Sequence, residues 1–307
     1  MIFWVEMPFM QQRNGALLVL ASAVAFGVMP IFGKLAFEAG VGVATLLFVR
    51  FAIAAPVLWA AVAVRRAVPK VERRVLGQAF ALGAVGYAIQ AGLYFLALRR
   101  MDASVLSLIL YSYPALVTGA AILLGRESAN RRRLMALVTA SGGLVLVLAG
   151  AGAGDFDLAG MALGVGAALT YTTYILVSDG VTAELEALPL AALVSTGAGV
   201  SLGVVAVATG SIDLGFDATG WLWLALAALI STVGAVVLFF SGMSRVGPST
   251  AAILSTLEPP VTVALVFLTF GEALGVVQLL GALAVLAAAV IVNLPSRAAV
   301  ACGASVG

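Results

Sequence analysis

Ten long apolar runs fill most of the chain, separated by short polar or glycine-containing breaks. They cover residues 15–37, 44–64, 75–98, 103–124, 133–149, 158–178, 187–209, 219–242, 248–270 and 273–294. A bilayer core about 30 Å thick is crossed by about 20 helical residues, and the runs are close to that length. Polarity does not alternate with a period of two, so the strands of a membrane β-barrel are not predicted. Hydrocarbon offers the backbone no hydrogen-bond partners, so the segments must be helices. The predicted fold is an all-α integral membrane protein with ten transmembrane helices. The first run is too long for a signal-peptide core and is followed at once by another, so it is expected to be retained.

Composition strengthens this reading. Of 307 residues, 63% are apolar and 10% charged, against about 45–50% and about 25% in soluble domains. Water-soluble enzymes and nucleic-acid binders are excluded, and the net charge of +2 is too small to call for a polyanionic partner. There is no His and one Cys, Cys302. Zinc, haem and iron–sulfur centres therefore lack their usual ligands, and no metal or cofactor is expected. A His general base is also missing, so an enzyme is not expected. Gly33-Lys34 lacks the remainder of a phosphate-binding loop, which excludes ATP-driven pumping by this chain alone.

The basic residues give a direction. With the N-terminus inside, twelve of the 16 fall on the inner side, including Arg65, Arg66, Arg73, Arg74 and Arg131. Lys34, Arg99 and Arg100 fall outside, and Arg50 lies within the second run. Positive charge marks the cytoplasmic side, so both termini are expected in the cytoplasm.

The chain also repeats itself. A shift of 145 positions brings Gly15 onto Gly160, Phe26 onto Tyr171, and Arg100 onto Arg245. The same shift brings Ser104 onto Ser249, Pro114 onto Pro259, and Glu127 onto Glu272. One offset serves five successive runs, giving halves at 15–149 and 158–294. An N-terminal segment (1–14), an outer linker (150–157) and a tail (295–307) complete the predicted organisation. Five is odd, so the second half enters from the opposite side. Inverted repeats of this kind recur in secondary transporters, with a midplane site between the halves.

Together these residues resemble the EamA-type family of the drug/metabolite transporter superfamily. The matching pieces are Lys34, Arg50-Phe51, Pro114 followed by Glu127, Leu257-Glu258-Pro259, and Gly271-Glu272 followed by Gln278 and Gly281. One departure is Phe26-Gly27, where the family often has Trp-Gly. The resemblance implies paired five-helix repeats and export or exchange of small metabolites, amino acids among them. It also implies a site enclosed by the first, third, fourth, sixth, eighth and ninth spans. Multidrug-type members of the superfamily use an acidic residue in the first helix, and this chain has none at mid-depth there.

Candidate site residues follow from polarity at depth. Glu258 lies about eleven residues into its run, about 16 Å deep at roughly 1.5 Å per residue. A charge there is costly and should face the bundle interior. It reads as a partner for a substrate ammonium group, a proton-coupling carboxyl, or a structural carboxyl within a kinked helix. Arg50 reads as a counter-charge for Glu258, a site for a substrate carboxylate, or a brace for outer helix ends. Lys34 reads as an interfacial cation.

All six tyrosines lie inside the runs rather than at their ends. Tyr87, Gln90, Ala91 and Tyr94 share one helical stripe. Thr170 pairs with Tyr174, Tyr171 flanks them, and Tyr111 and Tyr113 border Pro114. Buried phenols need partners, so they are expected either to line a polar chamber or to bond between helices. Pro30, Pro114, Pro259 and Pro260 each remove a backbone bond in mid-run, freeing the carbonyls of Phe26, Leu110, Ser255 and Thr256. These sites are expected to act as hinges, binding elements or packing bends. Asp155-Phe156-Asp157 reads as a solvated turn rather than a metal site, and Gly160/Gly164, Gly199/Gly203 and Gly271/Gly275 as close-packing pairs.

The function expected from all this is secondary-active export of a small metabolite from a bacterial inner membrane by a chain working singly. The best substrate guess is an amino acid, bulky or aromatic ones included, and proton coupling through Glu258 is one reading. A passive channel, a membrane enzyme acting on lipid-linked substrates and a structural membrane protein are the alternatives.

Overall fold

The structure, a computed structural model, describes residues 3–67, 71–125, 131–149, 157–182, 184–246, 251 and 254–293. Glu127, Asp155, Phe156, Ser249 and the tail from 294, with Cys302, lie outside the described residues. Among those described, every regular element is helical. Seven stretches are long and apolar enough to cross a membrane: Gln12–Glu38, Val43–Val64, Arg73–Leu98, Ala103–Leu123, Leu158–Ser178, Ala187–Ala208 and Ala218–Met243. Shorter apolar helices, Leu134–Val147, Glu258–Phe270 and Val276–Ile291, fall on the remaining three runs.

Several runs consist of two helices. The first contains α1 (Phe3–Gly27) and α2 (Met29–Glu38); the second is α3 (Val43–Val64), continuous through Pro56. The third comprises α4 (Arg73–Ala81), a π-helical turn over Leu82–Tyr87, and α5 (Ala88–Leu98). The fourth divides into α6 (Ala103–Leu110) and α7 (Tyr113–Leu123). Next come α8 (Arg131–Ala149), α9 (Leu158–Thr182) and α10 (Ala187–Ala208). The eighth run repeats the design of the third: α11 (Ala218–Ala228), a π turn over Leu229–Gly234, and α12 (Ala235–Val246). The last helices are α13 (Glu258–Phe270) and α14 (Val276–Asn293).

The prolines interrupt their runs rather than merely bending them. Pro30, Pro114 and Pro259 each occupy the first turn of a new helix, α2, α7 and α13. That turn tolerates proline because its N–H has no helical partner to lose. Tyr113 and Glu258, 145 positions apart, head the half-helices α7 and α13. The repeat therefore extends to the helix breaks.

The two halves interlock. α3 packs on α10 and α8 on α14, so each of these pairs joins a helix to its own repeat mate, and α6 packs on α13. α1 packs on α12 and α5 on α9, two contacts that the same repeat symmetry exchanges. Glycines permit the closest approaches. A Cβ on Gly143 would lie 2.8 Å from the Gly281 carbonyl oxygen, and one on Gly281 would lie 2.6 Å from that of Gly143. A Cβ on Gly199 would meet Phe51 and one on Gly203 the Phe48 ring, while one on Gly160 would meet Arg100 and one on Gly164 Leu106. Those two pairs do pack helices. Gly271/Gly275 does not: Gly271 adopts φ +71° as the left-handed cap that ends α13, with nothing within 4 Å of its missing side chain.

At the α2 end of the bundle a continuous apolar core seals the interior. It contains Ile31, Leu46, Phe51, Phe95, Leu98, Leu106 and Val266. Lys34 is no lone interfacial cation. Its Nζ pairs with Glu272, and the same carboxylate accepts the Ala103 N–H at 3.1 Å. The aromatic face of Phe270 lies 5.5 Å from that ammonium. One latch thus ties α2 to the start of α6 and to the link between α13 and α14.

Asp157 is explained by helix capping. Its Oδ1 accepts the Gly160 N–H at 3.0 Å, and Oδ2 meets Arg100 Nη1 at 3.2 Å. The amide bond first, then the guanidinium, hold this carboxyl below the usual carboxylate range. Such an exposed ion pair contributes little stability.

Candidate functional site

Two joined cavities occupy the bundle interior where the half-helices meet. The larger, about 640 Å³, runs from Glu258 and the tyrosines to Ala187, the first residue of α10, at the end opposite the latch. Its volume lies within the range of small-molecule sites. The smaller, about 130 Å³, lies toward the sealed end and shares Phe26, Tyr87, Tyr111, Tyr113, Tyr171 and Glu258 with the first.

An aromatic arc forms one wall. Tyr111 meets Tyr113 at 5.7 Å between ring centroids, Tyr113 meets Tyr171 at 4.7 Å, and Tyr171 stacks on Tyr174 at 6.0 Å. Tyr174 lies 5.9 Å from Tyr87, which meets Phe51 edge-on at 5.6 Å. Each contact falls in the range where ring quadrupoles attract. α3, α5 with its π turn, α6, α7 and α9 contribute to this wall, which explains why the tyrosines are so far apart in sequence.

A charged residue stands at each end of the arc. The Tyr111 hydroxyl donates to the Ser255 carbonyl and lies 3.4 Å from Glu258 Oε2. Ser255 is one of the carbonyls that proline was expected to free, and a phenol supplies its missing donor. At the other end, Arg50 Nε donates to Thr232 Oγ1 at 2.7 Å, and its Nη2 reaches the Tyr87 hydroxyl at 3.4 Å. The guanidinium lies 4.9 Å from the Phe51 ring centroid, within cation–π range. Arg50 and Glu258 border the same small chamber without forming an ion pair. Thr262 completes the scaffold by donating to the Gly27 carbonyl at 2.9 Å, tying α13 to the break in the first run.

Most of the sequence candidates meet here. Tyr87, Tyr111, Tyr113, Tyr171 and Glu258 line both cavities, Tyr174 and Pro114 line the larger, and Pro30, Arg50, Gln90 and Tyr94 line the smaller. Pro259 is buried at the head of α13 beside Glu258. Thr170 is the exception: it lines neither cavity, and its hydroxyl is satisfied by the Gly166 carbonyl at 2.8 Å within its own helix. Thr118, Ser195 and Thr232 line the larger cavity without having been singled out. Isolated hydroxyls in an apolar run carry no signal of which face they occupy.

The EamA-like transporter family model matches the sequence twice, over residues 13–149 and 158–294. The chain belongs to this family. EamA proteins form part of the drug/metabolite transporter superfamily, so the resemblance seen in the motifs holds. A protein of Bacillus subtilis (strain 168) described as the uncharacterized transporter YcbK is 26% identical over 276 residues, spanning 87% of this chain and 88% of its own. A crystal structure superposes with a TM-score of 0.63 at 16% identity, over 91% of this chain and 96% of that one. That likeness shows the fold alone. This EamA protein is accordingly a multi-pass membrane protein of a transport family.

Proposed function

We propose that this EamA protein is a secondary transporter that exports small amine-bearing metabolites, amino acids with bulky or aromatic side chains above all, by alternating access. The aromatic arc ending at Glu258 carries the proposal. It offers ring faces for stacking, hydroxyls for hydrogen bonds and one carboxyl to receive an ammonium group, all inside a cavity with ample room for an amino acid. The helix breaks at Val28, at Tyr111 and Ser112, and at Thr256 and Leu257 supply hinges beside the site. Discontinuous helices at a repeat interface commonly surround transporter sites. The cavity reaches the Ala187 end and is sealed at the Lys34 end. The excess of basic residues on the Arg65 side supports a cytoplasmic opening, and the opposite seal argues against an open channel.

Counterflow in proteoliposomes tests the reading. Vesicles loaded with unlabelled phenylalanine, leucine or tryptophan are expected to accumulate the labelled amino acid transiently and saturably. Flux at the rate of empty vesicles for all three would retire the substrate assignment.

The Lys34–Glu272 latch would hold the outer side shut. Lys34→Met is expected to raise several-fold the rate at which a membrane-impermeant maleimide, added from outside, labels a Ser107→Cys reporter in the small chamber of a Cys302→Ser protein. Unchanged labelling would show that the apolar core alone closes that end.

A further inference from the structure

The small chamber contains a buried charge that no carboxylate among the described residues touches, although Glu258 borders the same space. Arg50 is 1% exposed. Among the described residues the ion pairs are Lys34–Glu272 and Arg100–Asp157, and neither includes it. Its hydrogen-bond partners, Thr232 and Tyr87, are neutral hydroxyls, and the second is at the 3.4 Å limit. A guanidinium has five N–H donors, and leaving one uncompensated at membrane depth is costly. A neutral donor would bond the threonine hydroxyl equally well, and the ring faces of Phe51 and Phe95, 4.9 and 5.7 Å from the guanidinium, answer its charge but accept none of its remaining N–H bonds.

Two other polar side chains line the same space. Gln90 and Tyr94 are each 7% exposed, and neither side chain has a hydrogen-bond partner among the described residues. Their polar tips are not among the fully enclosed partnerless atoms, Ser104 Oγ and Ser231 Oγ, so they are open to the chamber. They stand beside Arg50 around a chamber of about 130 Å³.

We propose that this chamber is a carboxylate subsite in which Arg50 supplies charge-assisted hydrogen bonds and Gln90 and Tyr94 donate to the same group. At about 30 Å³ per water, the chamber takes a carboxylate with one or two waters but not a carboxylate together with an aromatic ring. The ring of the substrate lies in the larger cavity, and an ammonium group, where there is one, lies at Glu258 on the border between them. The subsite rests on the larger cavity being the substrate path. It adds the requirement for an acid group and the direction in which the molecule lies, carboxylate foremost toward the latch.

The test uses the purified full-length protein in detergent and two neutral-ring probes, 3-phenylpropionate and its isosteric amide, at equal ionic strength. Thermal stabilisation is titrated with each. In the unaltered protein the acid is expected to half-saturate at a concentration about tenfold or more below the amide, since hydrogen bonds to a charged partner are the stronger class. Arg50→Gln is expected to bring the two within about twofold, as the charge-assisted contribution disappears. Gln90→Leu, which leaves Arg50 and its bond to Thr232 in place, is expected to weaken the acid more than the amide and so to narrow the preference several-fold, since the bond lost to the acid is the charge-assisted one.

Equal response to acid and amide in the unaltered protein, or no response to either, overturns the subsite. So does an Arg50→Gln protein that is less stable yet keeps the acid preference, which would make Arg50 a brace. Should Arg50→Gln fail to fold, an unchanged preference in Gln90→Leu overturns it equally. Neither probe has an ammonium group. Failed amino-acid counterflow with an intact acid preference would therefore remove the substrate assignment and leave the subsite standing.

Discussion

Glu258→Gln is expected to cut amino-acid counterflow about ten- to a hundredfold at subsaturating substrate, the loss of a charged hydrogen-bond partner worth about 1.5–3 kcal/mol. The side chain is the acidic group on both cavities, and glutamine keeps its volume and an oxygen for the Tyr111 hydroxyl. The variant should therefore fold and bind poorly, raising the half-saturating concentration more than it lowers the maximal rate. Glu272→Gln is expected to do less, because Glu272 lies in the latch and touches neither cavity. Rates in proteoliposomes at matched protein density distinguish the two. Near-native flux in Glu258→Gln would remove the carboxylate from the transport cycle.

The second large effect concerns stability. Gly83 lies in the π turn of the third run, and a Cβ there would stand 2.0 Å from the Val194 carbonyl oxygen on α10. Gly197 faces it one turn on, with a Cβ position 2.2 Å from the Phe80 carbonyl oxygen. Backbone meets backbone at both points, so no side chain can move aside. Gly83→Ala and Gly197→Ala are each expected to destabilise the fold by about 1–3 kcal/mol or more, the cost of overpacking a close contact. Gly77→Ala and Gly92→Ala, which have nothing within 4 Å of the added carbon, are expected to be neutral or to stabilise by up to about 1 kcal/mol through helix propensity. The fraction of monodisperse protein surviving a heating series in detergent measures all four. Equal survival would mean that α10 and the π turn separate more readily than their geometry suggests.

The sequence reveals what is local or periodic and conceals what depends on distant partners. The apolar runs fall on the helices because hydropathy at this length reports directly on lipid burial. Pro114 and Pro259 mark the breaks because a missing N–H acts on its own helix. The mid-run tyrosines point to a polar interior because a phenol in hydrocarbon has to find a partner. The two π turns, by contrast, leave no trace in the apolar pattern: Leu82–Tyr87 and Leu229–Gly234 read as ordinary helix. Gly83 and Gly197 do not stand out from the many small residues of their runs, since the neighbour that each serves is more than 100 positions away. Arg50 and Thr232 are 182 positions apart, and Lys34 and Glu272 are 238 apart. An isolated charge in a sequence announces that it needs company without saying which residue provides it.

The repeat gives the latch a lopsided counterpart. The positions 145 away from Lys34 and Glu272 carry Asp179 and Glu127, two acids in place of a cation and an acid. Two acids cannot form the ion pair that joins Lys34 to Glu272. The duplication that copied the helices and their breaks therefore did not copy this clasp, and the two ends of the bundle differ in chemistry though they share an ancestry of helices.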